Sequence, residues 1–254
     1  ANTVDEKLPV AFWIHGGAFM HGFSHESEFD GAAYCERGVI LVAINYRLGA
    51  FGFLAHPWLS EESGAGRSGN YAILDQIAAL KWVKENIAAF GGDPENITVF
   101  GQSAGCMSVQ TLVSSPLTEN WISKAIFQSA GGYDTGLNRD MPLSEAETIG
   151  QEFVELSGAK SLEELRAIPA EKIVELQEDN LEKWVPQVNG KVISYDCFYI
   201  GEDTYSGTVI SSFDVDKPDK TIDAKCIMNN SGEVYVSGNA MYLLSLIHIS
   251  EPTR

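Results

Sequence analysis

Residues 97–109 read "ITVFGQSAGCMSV", and the fold turns on what happens in the middle of that stretch. "ITVFG" is a short apolar run with the character of a buried strand. It stops at "GQSAG", residues 101–105, and "CMSVQTLV" then continues with the length and composition of a helix. A strand that passes into a helix through G-x-S-x-G sets its serine on a sharp, strained turn, where a larger neighbour would collide with the strand or the helix. Ser103 is therefore expected to be an activated nucleophile. The competing reading is a serine that only caps the helix.

Working outward, "VAFWI" at residues 10–14 is a second apolar run, and it ends abruptly at the glycine turn "HGGAF". "GVILVAINY" at residues 38–46 is a third, rich in β-branched residues. Strands without polar alternation are covered on both faces, which predicts a parallel sheet with helices above and below. Between Gly69 and Phe90, the residues Ile73, Ile77, Leu80, Val83 and Ile87 recur at spacings of four and three, so one helix face is apolar. Gly91 and Gly92 should end that helix and "DPEN" turn the chain. "KAIFQSAGG" reads as a further strand. The alternation predicts an α/β fold with a mostly parallel sheet flanked by helices.

From Ser144 the character changes. "SEAETIGQEFVELSGA" and "SLEELRAIPAEKIVELQ" predict two acidic amphipathic helices with serine caps, in a segment, 144–185, that covers the site or packs on the domain. Residues 188–220 read as strands and loops. "AKCIMNN" then reads as one more short buried strand leading into "SGE".

Composition bounds the rest. With 254 residues, 44% of them apolar, the chain can bury the core of one large domain or two small ones. Its formal charge of -18 repels nucleic-acid phosphates and anionic lipid heads, which argues against nucleic-acid and membrane partners and for neutral or cationic ones. The simpler role of such a surface is solubility. No window has the roughly 18 apolar residues of a membrane span, and "ANTVDEKLPV" lacks a signal-peptide layout. A chain opening on Ala1 is expected to have lost its true start. Cys35, Cys106, Cys197 and Cys226 are far apart, without metal-ligand or disulfide-scaffold spacing, and read as small buried side chains. Unpaired cysteines favour a cytoplasmic address, and a lost leader would make the protein secreted instead.

An acyl-transfer serine needs amide donors aimed at the developing oxyanion. The "HGGAF" loop supplies them, and the backbone amides of Gly17, Ala18 and Ala104 are the natural trio because no bulky side chain blocks the approach of a carbonyl. His15 belongs to the same loop and reads as a residue that orients it.

Taken in order and spacing, "PVAFWIHGGAFMHG", "VILVAINYRLGAFGFL", "GNYAILDQIAALKWVKENIAAFGGDPENITVFGQSAG" and "IFQSAGG" resemble the type-B carboxylesterase family, which includes cholinesterases and some lipases. The likeness is dense from about Leu8 to Gly132 and looser beyond. It implies an α/β-hydrolase fold, here truncated at both ends, and a serine–glutamate–histidine triad acting on small-molecule carboxylic esters without cofactor or metal. The resemblance assigns Ser103 as nucleophile, Gly17, Ala18 and Ala104 as oxyanion donors with Gly16 shaping the turn, and Glu233, in "MNNSGE", as the triad acid. The chain departs from the pattern at Met228 and Ala72, where glycines are usual. A loop beyond the carboxyl end of a parallel strand would suit Glu233 on physical grounds too, although Asp214, Asp216, Asp219 and Asp223 are nearby alternatives. Ser129 stands where the family has a second serine, and a hydroxyl satisfied at a strand end explains it equally.

The family's chain order puts the histidine after the acid, and only His248 follows Glu233, by fifteen positions where a long stretch is expected. Residues 244–254, "LSLIHISEPTR", resemble the in-frame translation of a transposase-type sequencing adapter. The domain is therefore expected to span residues 1–243, with 244–254 foreign to it, the catalytic histidine missing and the chain nearly inactive. The alternative function is a catalytically inactive binding or adhesion domain on the same fold. Oligomeric state is left open.

Overall fold

A computed structural model of the chain describes residues 3–130, 141–188, 208–214, 217–227, 233–237 and 240–244, the last four stretches as backbone only. The strands are β1 (Leu8–Ile14), β2 (Ile40–Ile44), β3 (Gly92–Gln102), β4 (Lys124–Gln128), β5 (Thr208–Asp214), β6 (Lys217–Ile227), β7 (Glu233–Ser237) and β8 (Ala240–Leu244). The helices are α1 (Ala32–Cys35), α2 (Gly49–Phe53), α3 (Pro57–Glu62), α4 (Tyr71–Asn86), α5 (Ala104–Ser114), α6 (Leu143–Ser157), α7 (Leu162–Ala167) and α8 (Ala170–Glu178). The main sheet runs β2-β1-β3-β4-β7-β8. Its first four strands are parallel, and β7 and β8 continue it antiparallel. β5 and β6 form a separate antiparallel pair.

The unbroken apolar runs follow from burial on two faces. Val10, Phe12 and Ile14 of β1 pack with Ile97 and Val99 of β3 in the larger core, while Ala11, Trp13 and Phe100 form a second cluster on the opposite face. Alternate residues thus serve different cores, so no position along the strand is left for a polar side chain. On α4, Ile73, Leu80, Val83 and the following Ile87 are buried as the periodicity predicts, and the helix tightens into a 3₁₀ turn before Gly91 closes it at φ +80°. Asp75 on α4 receives Arg47 from beyond β2 in an ion pair of 2.7 Å, which fixes the exit of β2 against that helix.

Several expectations need correction. "DPEN" does not stand between elements: it lies inside β3, where the register with β1 shifts between Leu8 and Val10 and Asp93 Oδ1 accepts the Glu95 amide at 2.9 Å, a turn held as a bulge. The acidic segment contains three helices rather than two. Pro169 cannot donate an N–H and drives Ile168 to φ -68°, ψ 127°, which separates α7 from α8. Of the caps, Ser161 does bond the Glu164 amide, but α6 begins after Pro142 with Ser144 already inside it. Cys106 is buried as expected and Cys35 is exposed. Residues 224–227 belong to β6 rather than to the main sheet. The signal was present: Ile222, Ala224 and Cys226 alternate with Thr221, Asp223 and Lys225, the period of a strand with one wet face.

Leu80 is fully buried at the centre of the α4 face, whereas Leu74, on the same helix, is about half exposed. Leu80→Ala should lose about 2–5 kcal/mol in denaturant unfolding, and Leu74→Ala should change stability by less than about 0.5 kcal/mol.

Candidate active site

A single residue separates β3 from α5, and it is Ser103. Its backbone sits at φ +54°, ψ -122°, a conformation that costs a non-glycine residue about 1–3 kcal/mol and persists only when its surroundings enforce it. They do so from both sides. The Ser103 amide donates to the Gln128 carbonyl at 2.9 Å, extending the β3–β4 ladder by one bond, and the Ser103 carbonyl accepts the Met107 amide at 3.1 Å, opening α5. The hydroxyl, by contrast, makes no capping bond to the helix. The main chain is committed while the side chain is not, which disposes of the helix-cap reading.

The small residues around it are sterically required. A Cβ on Gly105 would lie 2.1 Å from the Ile14 carbonyl oxygen, and one on Gly101 would lie 2.6 Å from Gly105. A Cβ on Gly16 would lie 2.7 Å from the Gln102 carbonyl oxygen and 3.3 Å from the Ser103 Cβ. The loop after β1 therefore crosses directly over the serine corner. Sequence neighbours far apart in number are brought together here because Ile14 of β1 pairs with Gly101 of β3.

Three successive positive φ angles follow, at Gly17 (+101°), Ala18 (+53°) and Phe19 (+60°). The Gly17 carbonyl accepts from the Met20 and His21 amides, closing the loop on itself. Phe19 is fully buried, its ring 4.6 Å from that of Phe53, and its carbonyl accepts the Gly49 amide at 2.7 Å. The strain in the loop is thus held by an aromatic anchor in the core. Ala104, the first residue of α5, has an amide with no intrahelical acceptor and sits at the helix's positive end.

His15 is buried, with Nδ1 donating to the Gly16 carbonyl at 2.8 Å, which fixes the ring's proton on that nitrogen. Its own carbonyl accepts from the Tyr46 hydroxyl at 2.7 Å, and the two rings stack at 4.4 Å. Tyr46 went unnoticed in the sequence, where only its place just beyond a strand marked it. Burial pushes the His15 imidazole below its ordinary pKa, against opposing contributions from the Gly16 carbonyl and Glu26. His56 caps α3 by accepting the Trp58 amide and is likewise lowered by burial, with Glu147 opposing. His21 and His25 are exposed.

Glu233 opens β7, where its Cα partner is Gln128, itself the partner of Gln102. It does not follow a parallel strand on a loop, as expected, but begins an antiparallel one. Even so its backbone lies two strand spacings, about 10 Å, from that of Gln102, at the carboxyl end of β4. Ser129 follows β4 at φ +53°. Met228 and His248 lie outside the described residues. Ala72 is fully buried, and a Cβ on Gly52 would lie 3.0 Å from its methyl, so the pair packs closely with alanine in place of the usual glycine. Among the described residues no group of three or more His, Cys, Asp or Glu could hold a metal ion, and no helix is long and apolar enough to cross a membrane.

The sequence pattern of the carboxylesterase family matches residues 1–212, and the chain belongs to that family. It is 49% identical over 147 residues to the fumonisin B1 esterase of Sphingopyxis macrogoltabida, covering 58% of this chain and 26% of that protein. With the para-nitrobenzyl esterase of Bacillus subtilis (strain 168) it shares 43% identity over 176 residues, 68% of this chain and 34% of the relative. Among solved structures, the Geobacillus stearothermophilus carboxylesterase EST55 superposes with a TM-score of 0.66 at 40% identity, covering 73% of this chain and 38% of that one. The chain spans about a quarter to a third of the length of these two curated relatives. Its fold is that of the α/β-hydrolase carboxylesterases.

Burial makes the two histidines harder to protonate in the folded chain than in the unfolded one. The stability they confer is present above the ordinary histidine value, about 6.5, and shrinks as pH falls below it toward their lowered folded values. Urea midpoints should therefore drop from pH 7 to pH 5, and His15→Gln should remove part of that slope while leaving the share of His56. An unchanged slope would contradict this account.

Proposed function

We propose that the protein hydrolyses carboxylic esters through an acyl-enzyme, with Ser103 as the nucleophile and the amides of Gly17, Ala18 and Ala104 as oxyanion donors. The observation that carries this reading is the corner at Ser103: a strained, doubly pinned backbone whose hydroxyl does not cap the helix. Gly16 leaves room for the substrate, since any side chain there would reach the serine. Glu233 is the triad acid in this reading, supported by its position at the carboxyl end of β4, two strands from the serine corner.

In the first half-reaction the Ser103 oxygen adds to the ester carbonyl while its proton passes to a histidine base. The carbonyl oxygen, now negative, is met by the three amides, and the alcohol departs with the proton returned by the imidazolium. Water repeats the sequence and frees the acid. Glu233 would hold the imidazole in its working tautomer and stabilise its cation. The described histidines do not suit the role of base: His15 and His56 are engaged in holding a loop and a helix end, and His21 and His25, like them, precede Ser103, against the serine–acid–histidine order of the family. His248, the one other histidine of the 254 residues, follows Glu233 too closely for the family's chain order, so in this reading the base is a histidine that these 254 residues do not contain. The substrates are uncharged esters of short to medium length, since the -18 surface disfavours anions.

In a longer chain that includes the histidine base, Ser103→Ala should abolish labelling by a fluorophosphonate and lower p-nitrophenyl ester turnover by at least about 10⁴-fold. A folded protein that neither labels nor turns over would instead leave a binding domain. His248→Ala should leave labelling and turnover as they are. A fall of about 10³-fold or more in that variant would make His248 the base.

A further inference from the structure

We propose that Gln177, on α8, is a positioning residue for the oxyanion loop, acting through the N-terminus of α2. The inference rests on the esterase reading above and deepens it.

The first residues of any helix carry amides without intrahelical acceptors. In α2 the residue before the helix is Leu48, whose side chain cannot accept a hydrogen bond, so no local cap exists. Two tertiary acceptors replace it. The Gly49 amide donates to the Phe19 carbonyl at 2.7 Å, and the Ala50 amide donates to Gln177 Oε1 at 2.9 Å. Phe19 directly follows Ala18, one of the proposed oxyanion donors. Neighbouring amides of a single short helix thus bind the oxyanion loop on one side and α8 on the other.

The fit is tight. Gly49 stands at φ +55°, and a Cβ on it would lie 2.3 Å from Gln177 Oε1. Gln177 is 4% exposed and shares the buried face of α8 with Ile173. An amide in that place, one turn from an isoleucine, needs a polar partner, and the Ala50 amide provides it. Ala50 itself is buried, so no water replaces the glutamine if it is removed. α2 would then shift to find another acceptor, and its Gly49–Phe19 bond would carry the shift into a loop already held at three positive φ angles. Oxyanion donors act only within a few tenths of an ångström of their target, so the loss falls on the transition state more than on substrate binding.

Introduced into a parent chain that includes the histidine base, Gln177→Met keeps the size and removes the acceptor. It should lower kcat about tenfold with KM within about twofold, and weaken binding of a trifluoromethyl ketone, which adds Ser103 to form a tetrahedral mimic, by the same factor. Gln177→Glu keeps an acceptor oxygen and should recover most of the loss. Amide hydrogen exchange across residues 15–20 should accelerate in Gln177→Met. If that variant does not fold, Gln177→Asn, which retracts the acceptor by one methylene, serves the same measurements. The proposal is overturned if kcat and ketone affinity stay within twofold of the parent, or if exchange at residues 15–20 is unchanged. Absence of turnover in a parent chain that includes the histidine base would sink the esterase reading, and the exchange measurement would still decide whether Gln177 holds the loop.

Discussion

The Ile14 carbonyl sets the geometry of this molecule. It lies where Gly105 would place a Cβ, 2.1 Å away, and close to that of Gly101, so the end of β1 and the β3–α5 corner can meet only because both positions are bare. That contact fixes how closely two neighbouring strands finish, and hence where the residues just past their ends fall. Ser103 comes one residue after β3, the glycine loop one residue after β1. The proposed chemistry, which needs a hydroxyl facing a carbonyl carbon and amides facing its oxygen, would draw both from the meeting of two strand ends.

Strain on one side is balanced by packing on the other. Ser103, Ala18 and Phe19 all have left-handed φ values, and the bonds that hold Ser103 and Phe19 come from different directions. The sheet ladder and the helix hold the serine, while the buried ring of Phe19 and the α2 amide hold the loop. His15, stacked on Tyr46 and bonded to Gly16, closes the base of the same loop. None of these supports uses the Ser103 hydroxyl, which is what a preorganised site requires.

Most of this frame was legible in the residues. "VAFWI" and "ITVFG" read as buried strands because alternate side chains enter two different cores and no polar position remains. The α4 face and its glycine stop read correctly for the same reason: local period and burial agree. Where the reading failed, tertiary geometry had overridden a local pattern. Asp93 to Asn96 look like a free turn, yet the ladder on either side absorbs them as a bulge. "AKCI" reads as a short strand of the main sheet when cut short, whereas it is the end of the longer β6, paired antiparallel with β5. Gln177 was invisible, since a glutamine on an acidic helix has the appearance of surface until the partner amide is seen.

The bonds at residue 103 deserve a wider reading. Both are made by main-chain atoms: an amide to the Gln128 carbonyl, and a carbonyl to the Met107 amide. Side chains at positions 128 and 107 take no part in them. Evolution can therefore rewrite those side chains while the corner keeps its shape. A scaffold of this kind separates the freedom to vary side chains from the rigidity of the main chain that carries Ser103.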